Sequence, residues 1–80
     1  MTVKVRFLCR EIVGDIQNGE YSFPEDTTIE KALGILSQGG GFIENYEKFV
    51  LVMVNSKPAK LETLLHDGDM LMVLRKVMGG

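Results

Sequence analysis

One short segment with helical spacing, enclosed by segments that alternate like β-strands, most constrains how this 80-residue chain can fold. The segment opens with Thr27-Thr28-Ile29-Glu30, a capping-box pattern with Thr27 as N-cap and Glu30 at position N3. Apolar residues then recur at spacings of three and four, at Ile29, Ala32, Leu33 and Leu36. Gly39-Gly40-Gly41 predicts the end of the helix after about ten residues. Because so short a helix is only marginally stable alone in water, its apolar face must pack against the strands.

Two strand patterns precede this helix. Residues 2–9 alternate with period two, so that one face carries Val3, Val5, Phe7 and Cys9. The pattern returns at residues 20–23, with Tyr21 and Phe23 on one face, and Pro24 ends that strand. Together the two segments predict an antiparallel hairpin with a long loop over Arg10–Asn18.

Two further strand patterns follow the helix. Phe49–Val54 is continuously apolar, as in a central strand that is covered on both faces or meets a partner. Asn55–Pro58 predicts a turn, 61–65 a short irregular segment, and His66–Asp69 another turn before a last strand over 70–77. The order strand, strand, helix, strand, strand predicts an α+β fold of the β-grasp (ubiquitin-like) kind, with one main helix across a mixed sheet of four to five strands.

Composition favours an ordinary globular domain and excludes several classes of function. The chain carries 11 acidic and 9 basic residues, scattered along its length, for a net charge of −2. It therefore lacks the basic patch that nucleic acid binding needs. No apolar stretch approaches the roughly 20 residues of a membrane helix, and Met1–Lys4 does not resemble a signal peptide, so we expect a cytoplasmic location and no membrane partner.

Residue types that commonly carry catalysis do not assemble into a site. Cys9 shares the apolar face of the first strand, which favours a small buried side chain over a nucleophile. His66 has no nearby metal-ligating partner, and Asp67-Gly68-Asp69 has the composition of a turn. Gly39-Gly40-Gly41 lacks the lysine and hydroxyl of a phosphate-binding loop. We therefore predict no metal site, no bound cofactor and no catalysis by this chain alone.

The sequence ends with Val77-Met78-Gly79-Gly80. Two glycines without Cβ atoms allow an extended backbone to thread a narrow channel, which would carry the Gly80 carboxylate to a reactive centre. Five extended residues from Lys76 onward span at most about 17 Å. We predict a domain over residues 1–77 and a flexible tail over 78–80; a frayed terminus without a role is the alternative.

A second candidate site follows from the phase of the strands. If the buried face includes Val3, Val52 and Val73, the opposite face is unusually apolar. Its predicted members are Leu8, Phe49, Leu51, Met53, Met70, Met72 and Leu74, beside Lys4 and Arg6. Such a surface often binds a protein partner. Two alternatives are that residues 61–65 cover part of it, or that it mediates self-association.

Several short motifs, in order, make the whole chain resemble a known family. They are Phe7-Leu8-Cys9-Arg10-Glu11-Ile12-Val13-Gly14, Thr27-Thr28-Ile29, Val54-Asn55-Ser56-Lys57, Leu65-His66-Asp67-Gly68-Asp69 and the terminal Gly79-Gly80. With them the chain resembles the ubiquitin-like sulfur carriers of the ThiS/MoaD type. These include the small subunit of molybdopterin synthase and the carrier of thiamine thiazole biosynthesis.

The resemblance implies a carrier rather than an enzyme. An E1-like enzyme would adenylate the Gly80 carboxylate with ATP and magnesium, and a persulfide donor would supply the sulfur of a thiocarboxylate. Gly79 would thread the tail, while Arg75 and Lys76 would steer it toward acidic or phosphate-bearing surroundings. The sulfur would pass to the large subunit of a synthase, in molybdopterin or tungsten-pterin cofactor biosynthesis.

Three alternatives stay open at this stage. The chain length and the Arg10–Asn18 loop favour the molybdopterin branch over the shorter thiamine type, but a carrier for thiamine or another sulfur metabolite would use the same tail. A ubiquitin-like modifier would attach Gly80 to lysines of target proteins. A plain interaction domain would need no tail chemistry at all.

Overall fold

The computed structural model describes residues 1–38 and 41–76 and shows one mixed sheet with a main helix against it. Its strands are β1 (Thr2–Leu8), β2 (Gly19–Ser22), β3 (Val50–Val54), β4 (Lys57–Ala59) and β5 (Met70–Arg75). Its helices are α1 (Arg10–Val13), α2 (Ile29–Ser37) and a 3-10 turn (Tyr46–Lys48). The sheet order is β2-β1-β5-β3-β4, with β1 and β5 parallel and the other pairs antiparallel. The predicted α+β class is confirmed.

The core lies between the sheet and α2. The inward face of β1 is fully buried, with Val3, Val5 and Phe7 at most 2% exposed, as the alternation predicts. The predicted helix face is buried as well, at Ile29, Ala32, Leu33 and Leu36. The helix ends at Ser37 with Gln38 as C-cap; Gly39 and Gly40, predicted to end it, lie outside the described residues. Among the described residues, no helix is both long and apolar enough to span a membrane.

The start of α2 corrects the predicted capping box by one residue. Thr28 is the N-cap, and its hydroxyl oxygen accepts a hydrogen bond from the Lys31 N–H at 3.2 Å. Glu30 therefore stands at N2 and not at N3. Thr27 is buried, its hydroxyl donates to the Pro24 carbonyl at 2.6 Å, and its own carbonyl accepts the Leu65 N–H. The local bond to Pro24 and the long-range bond to Leu65 hold Thr27 outside the helix.

Two short elements occupy segments predicted as loop and turn. Within the Arg10–Asn18 loop, α1 buries Ile12 and Val13, but four residues are too few to show a helical period. β4 lies in what was predicted as the end of a turn: Asn55 and Ser56 both have positive φ, as in a type I′ hairpin, and Val54 pairs with Lys57. Pro58 is tolerated there because β4 is an edge strand.

Strand ends shift by a residue or two from their predicted positions. β1 ends at Leu8 and β2 begins at Gly19. β3 begins at Val50, because the Phe49 N–H closes the 3-10 turn on the Tyr46 carbonyl at 2.8 Å. β5 ends at Arg75, and the predicted last strand residue, 77, lies outside the described part of the chain.

Gly14, at the end of α1, packs closely against Gly41 in the loop that precedes β3. Its φ of 66° and ψ of −135° suit only glycine, and an added Cβ would lie 2.9 Å from the Gly41 carbonyl oxygen. We expect Gly14→Ala to lower the free energy of unfolding by about 2 kcal/mol, measured by urea denaturation.

Gly34, in the middle of α2, provides the matched control for that substitution. A Cβ at Gly34 meets nothing within 4 Å, so Gly34→Ala is expected to stabilise the domain by about 0.5–1 kcal/mol. Equal stabilities of the two variants would contradict the close approach of Gly14 and Gly41.

Candidate functional site

The predicted reactive residue, Gly80, and its thread, Gly79, lie outside the described residues, as does the predicted boundary between domain and tail. The structure does describe the position from which this segment continues. β5 is the middle strand of the sheet, flanked by β1 and β3. Beyond its last residue, the Lys76 N–H donates to the Phe49 carbonyl at 2.7 Å. The base of the tail is therefore held on the β3 side for one residue past β5.

A row of three leucines crosses the outer face of the sheet just before this base. Leu8 of β1 pairs with Leu74 of β5, which pairs with Leu51 of β3. Leu8 is 47% exposed and Leu51 is 45% exposed, while Leu74 between them is half-buried. We call these residues the leucine row. It is an apolar strip that spans the three central strands at the end where the tail begins.

Behind the leucine row the face becomes more polar toward β1. The second row across the strands is Arg6, Met72, Met53 and Pro58, and the third includes Lys4 and Met70. The three methionines are half-buried, whereas Lys4 and Arg6 are exposed. The structure thus brings six of the seven predicted apolar residues onto one face.

Phe49, the seventh predicted residue, lies outside the strands of this face. It precedes β3 rather than belonging to it, and it lines a groove with Ile12 and Ile43 at the base of the tail. Arg75 and Lys76 also line this groove. Neither Ile12 nor Ile43 was predicted as a site residue. The apolar pair Ile12-Val13 indicates burial, but it does not indicate the contact with Ile43 that forms the groove.

Residues 61–65 do not cover the leucine row. The Thr63 carbonyl accepts the Ile29 N–H at 3.0 Å, and the Leu61 carbonyl accepts the Glu30 N–H at 2.9 Å. Leu65 is buried in the core. This segment therefore supplies hydrogen-bond acceptors to the free backbone N–H groups in the first turn of α2. It lies on the opposite side of the sheet from the leucine row.

The remaining candidates have structural roles in the described residues. Cys9 is fully buried, and its thiol lies 3.5 Å from the Val73 carbonyl oxygen. Burial above all, and then the Glu11 carboxylate, raises the pKa of this thiol, which keeps it protonated. A protonated, buried thiol is a poor nucleophile. The predicted interpretation of Cys9 as a small buried side chain is confirmed.

The acidic turn before β5 ties strand ends together. Asp67 Oδ1 accepts the Thr2 N–H at 2.7 Å. Asp69 accepts the His66 N–H on Oδ2 and the Asn55 side-chain amide on Oδ1. Within residues 1–38 and 41–76, no three His, Cys, Asp or Glu side chains are grouped as a metal site would require.

Comparison with known proteins identifies the family. The family model described as ThiS family matches residues 8–80, whereas no curated protein matches the chain. The solution structure of the HVO 2177 protein from Haloferax volcanii is similar, with a TM-score of 0.74 and 28% identity over 100% of this chain and 87% of that one.

Two further solved structures share the fold. Small archaeal modifier protein 1 of Haloferax volcanii has a TM-score of 0.69 and 18% identity over 95% of this chain and 98% of that one. A chain in the complex of subunits 1 and 2 of molybdopterin-converting factor from Helicobacter pylori has a TM-score of 0.61 and 26% identity over 100% of both chains. The chain therefore belongs to the ThiS family, and its fold is the ubiquitin-like β-grasp fold of small sulfur carriers and protein modifiers.

Proposed function

We propose that this protein is a sulfur carrier whose Gly80 carboxylate is adenylated and converted to a thiocarboxylate, which donates sulfur in molybdopterin or tungsten-pterin cofactor biosynthesis. The observation that carries the proposal is the match to the ThiS family over residues 8–80, which includes the terminal Gly79-Gly80. In this role the chain is a substrate of its partner enzymes and not a catalyst.

The chemistry explains why such a carrier needs activation. A carboxylate is a poor acyl donor at neutral pH, whereas an acyl-adenylate has a good leaving group. An E1-like enzyme would join the Gly80 carboxylate to AMP from ATP with magnesium, releasing pyrophosphate. Attack by a persulfide sulfur then expels AMP, and reduction of the resulting acyl disulfide by a thiol leaves the thiocarboxylate.

The leucine row is the surface that we assign to partner docking. Binding of an apolar partner there would bury Leu8, Leu51 and Leu74 immediately before the tail, so the tail would enter the partner from a fixed point. The adjacent Met53, Met70 and Met72 suit a face that meets more than one partner, because methionine adapts to differently shaped surfaces.

The proposal of a second partner is supported by the Helicobacter pylori structure, in which subunit 1 is in complex with subunit 2 of molybdopterin-converting factor. We propose that the large subunit of a comparable synthase accepts the sulfur from this chain. The likeness to small archaeal modifier protein 1, at 18% identity, concerns the fold alone. A search for Gly-Gly remnants on lysines of cell proteins, by mass spectrometry, would distinguish a protein modifier.

The proposal is tested by the intact mass of the protein after incubation with the E1-like enzyme of the same organism, ATP, magnesium and a persulfide donor. Exchange of one oxygen of Gly80 for sulfur adds about 16 Da. The control omits ATP and should show no shift. If the mass stays unchanged with an enzyme that is active on another carrier, the carrier function is wrong.

A further inference from the structure

A groove of about 260 Å³ opens at the base of the tail, on the other side of β5 from the leucine row. Its walls are apolar, formed by Ile12, Ile43 and Phe49, and its rim carries Glu11, Arg75 and Lys76. Ile43 is 41% exposed and Phe49 is 37% exposed, so two of the three walls face solvent.

Backbone contacts build this groove before any partner arrives. The Ile43 N–H donates to the Ile12 carbonyl at 2.8 Å, which joins the loop before β3 to α1. Next to Ile43, the Phe42 ring packs edge-to-face on Phe7 of the core, with centroids 6.0 Å apart. The bond from Lys76 to the Phe49 carbonyl completes the opposite wall. A preformed groove loses little conformational entropy when it is filled.

The Glu11–Arg75 ion pair on the rim indicates that the rim can bind a carboxylate. Arg75 Nη1 lies 3.5 Å from Glu11 Oε1, with the two side chains 71% and 55% exposed. An ion pair this exposed contributes little to stability, so a carboxylate from another molecule can replace Glu11 at Arg75. Lys76 places a second positive charge on the same rim.

We propose that this groove binds a segment of the activating enzyme in which an aliphatic side chain lies beside a carboxylate. The aliphatic side chain fills the space between Ile12, Ile43 and Phe49, and the carboxylate takes the place of Glu11 at Arg75. The inference rests on the proposed function for the identity of the partner. Because Arg75 directly follows Leu74, the leucine row and the groove would hold the base of the tail from two sides.

Competition by Glu11 predicts that substitutions of Glu11 and of Arg75 change the binding affinity in opposite directions. If Glu11 competes with a carboxylate of the partner, Glu11→Gln removes the competitor and should tighten binding about threefold. Arg75→Gln removes the attracting group and should weaken binding by a similar factor or more. An ion pair that served only to hold α1 in place would make both variants weaker binders.

The test measures binding of the full-length chain to the E1-like enzyme of the same organism by calorimetry. Ile43→Asp is expected to weaken binding about tenfold, because it places a charge in the apolar groove next to an incoming carboxylate. Ile35→Asp is the matched control: Ile35 is 45% exposed on α2 and does not line the groove. Equal affinities of these two variants would overturn the proposal.

Other occupants of the groove predict different results. If Ile43→Asp tightens binding, the groove holds residues 77–80 of the chain itself; if it instead abolishes a dimer seen by sedimentation, the groove holds a second copy. Either result overturns the proposal. Wild-type protein that binds the enzyme but gains no sulfur contradicts the proposed function alone, and the Ile43 comparison still decides the groove. Absence of wild-type binding contradicts both.

Discussion

A variant that lacks Gly80 is expected to lose thiocarboxylate formation by a factor of about 10³ or more while keeping the wild-type fold. Deletion moves the terminal carboxylate back by one residue, or about 3.5 Å along an extended chain. A displacement of only 1 Å can cost on the order of 10²-fold in rate, because reacting atoms must approach closely and in the correct direction. Pyrophosphate release by the E1-like enzyme, together with intact mass, measures the loss.

The fold of the deletion variant provides its own control. The last described core residue is Val73 of β5, so removal of Gly80 should leave the thermal unfolding midpoint unchanged. Its affinity for the enzyme should also fall by much less than its rate, because the leucine row and the groove are retained. Thiolation of the shortened tail within tenfold of the wild-type rate would show that Gly80 is not the reactive residue.

The sequence predicts most of the sheet because period-two alternation is a local signal that a sheet preserves. Val3, Val5 and Phe7 are buried as their spacing requires, while Arg6 between them is exposed. On the continuously apolar β3 the sequence alone does not separate the two faces. Leu51 and Val52 are told apart only once Val52 is assumed to face the helix, which the structure confirms. Once both faces of β1, β3 and β5 are known, their register places the leucine row.

Features that depend on tertiary contacts could not be predicted in the same way. The capping-box pattern favours Thr27 as N-cap, but the hydrogen bond between the Thr27 carbonyl and the Leu65 N–H, distant in the chain, leaves Thr28 as the N-cap. The groove forms where the Ile43 N–H donates to the Ile12 carbonyl, a contact between segments far apart in sequence. Neither contact leaves a periodic pattern, which is why Ile12 and Ile43 were missed as site residues.

If the leucine row binds the partner enzyme, a charge placed in this row should disrupt the complex. Leu51→Glu is expected to weaken binding to the E1-like enzyme about 30-fold or more, because it places a charge within an apolar interface. The domain should stay folded, since Leu51 is 45% exposed and points away from the core. Calorimetry measures the affinity, and circular dichroism with thermal unfolding measures the fold.

Leu64→Glu is the matched control for this prediction. Leu64 is also 45% exposed, but it lies in the 61–65 segment and pairs with Thr28 at the start of α2, away from the leucine row. This variant should bind the enzyme with wild-type affinity. Loss of the circular dichroism signal in Leu51→Glu would make Leu51 a core residue, and equal weakening by both variants would deny the leucine row a specific role. If Leu51→Glu only converts a dimer into a monomer and leaves enzyme affinity intact, the leucine row mediates self-association.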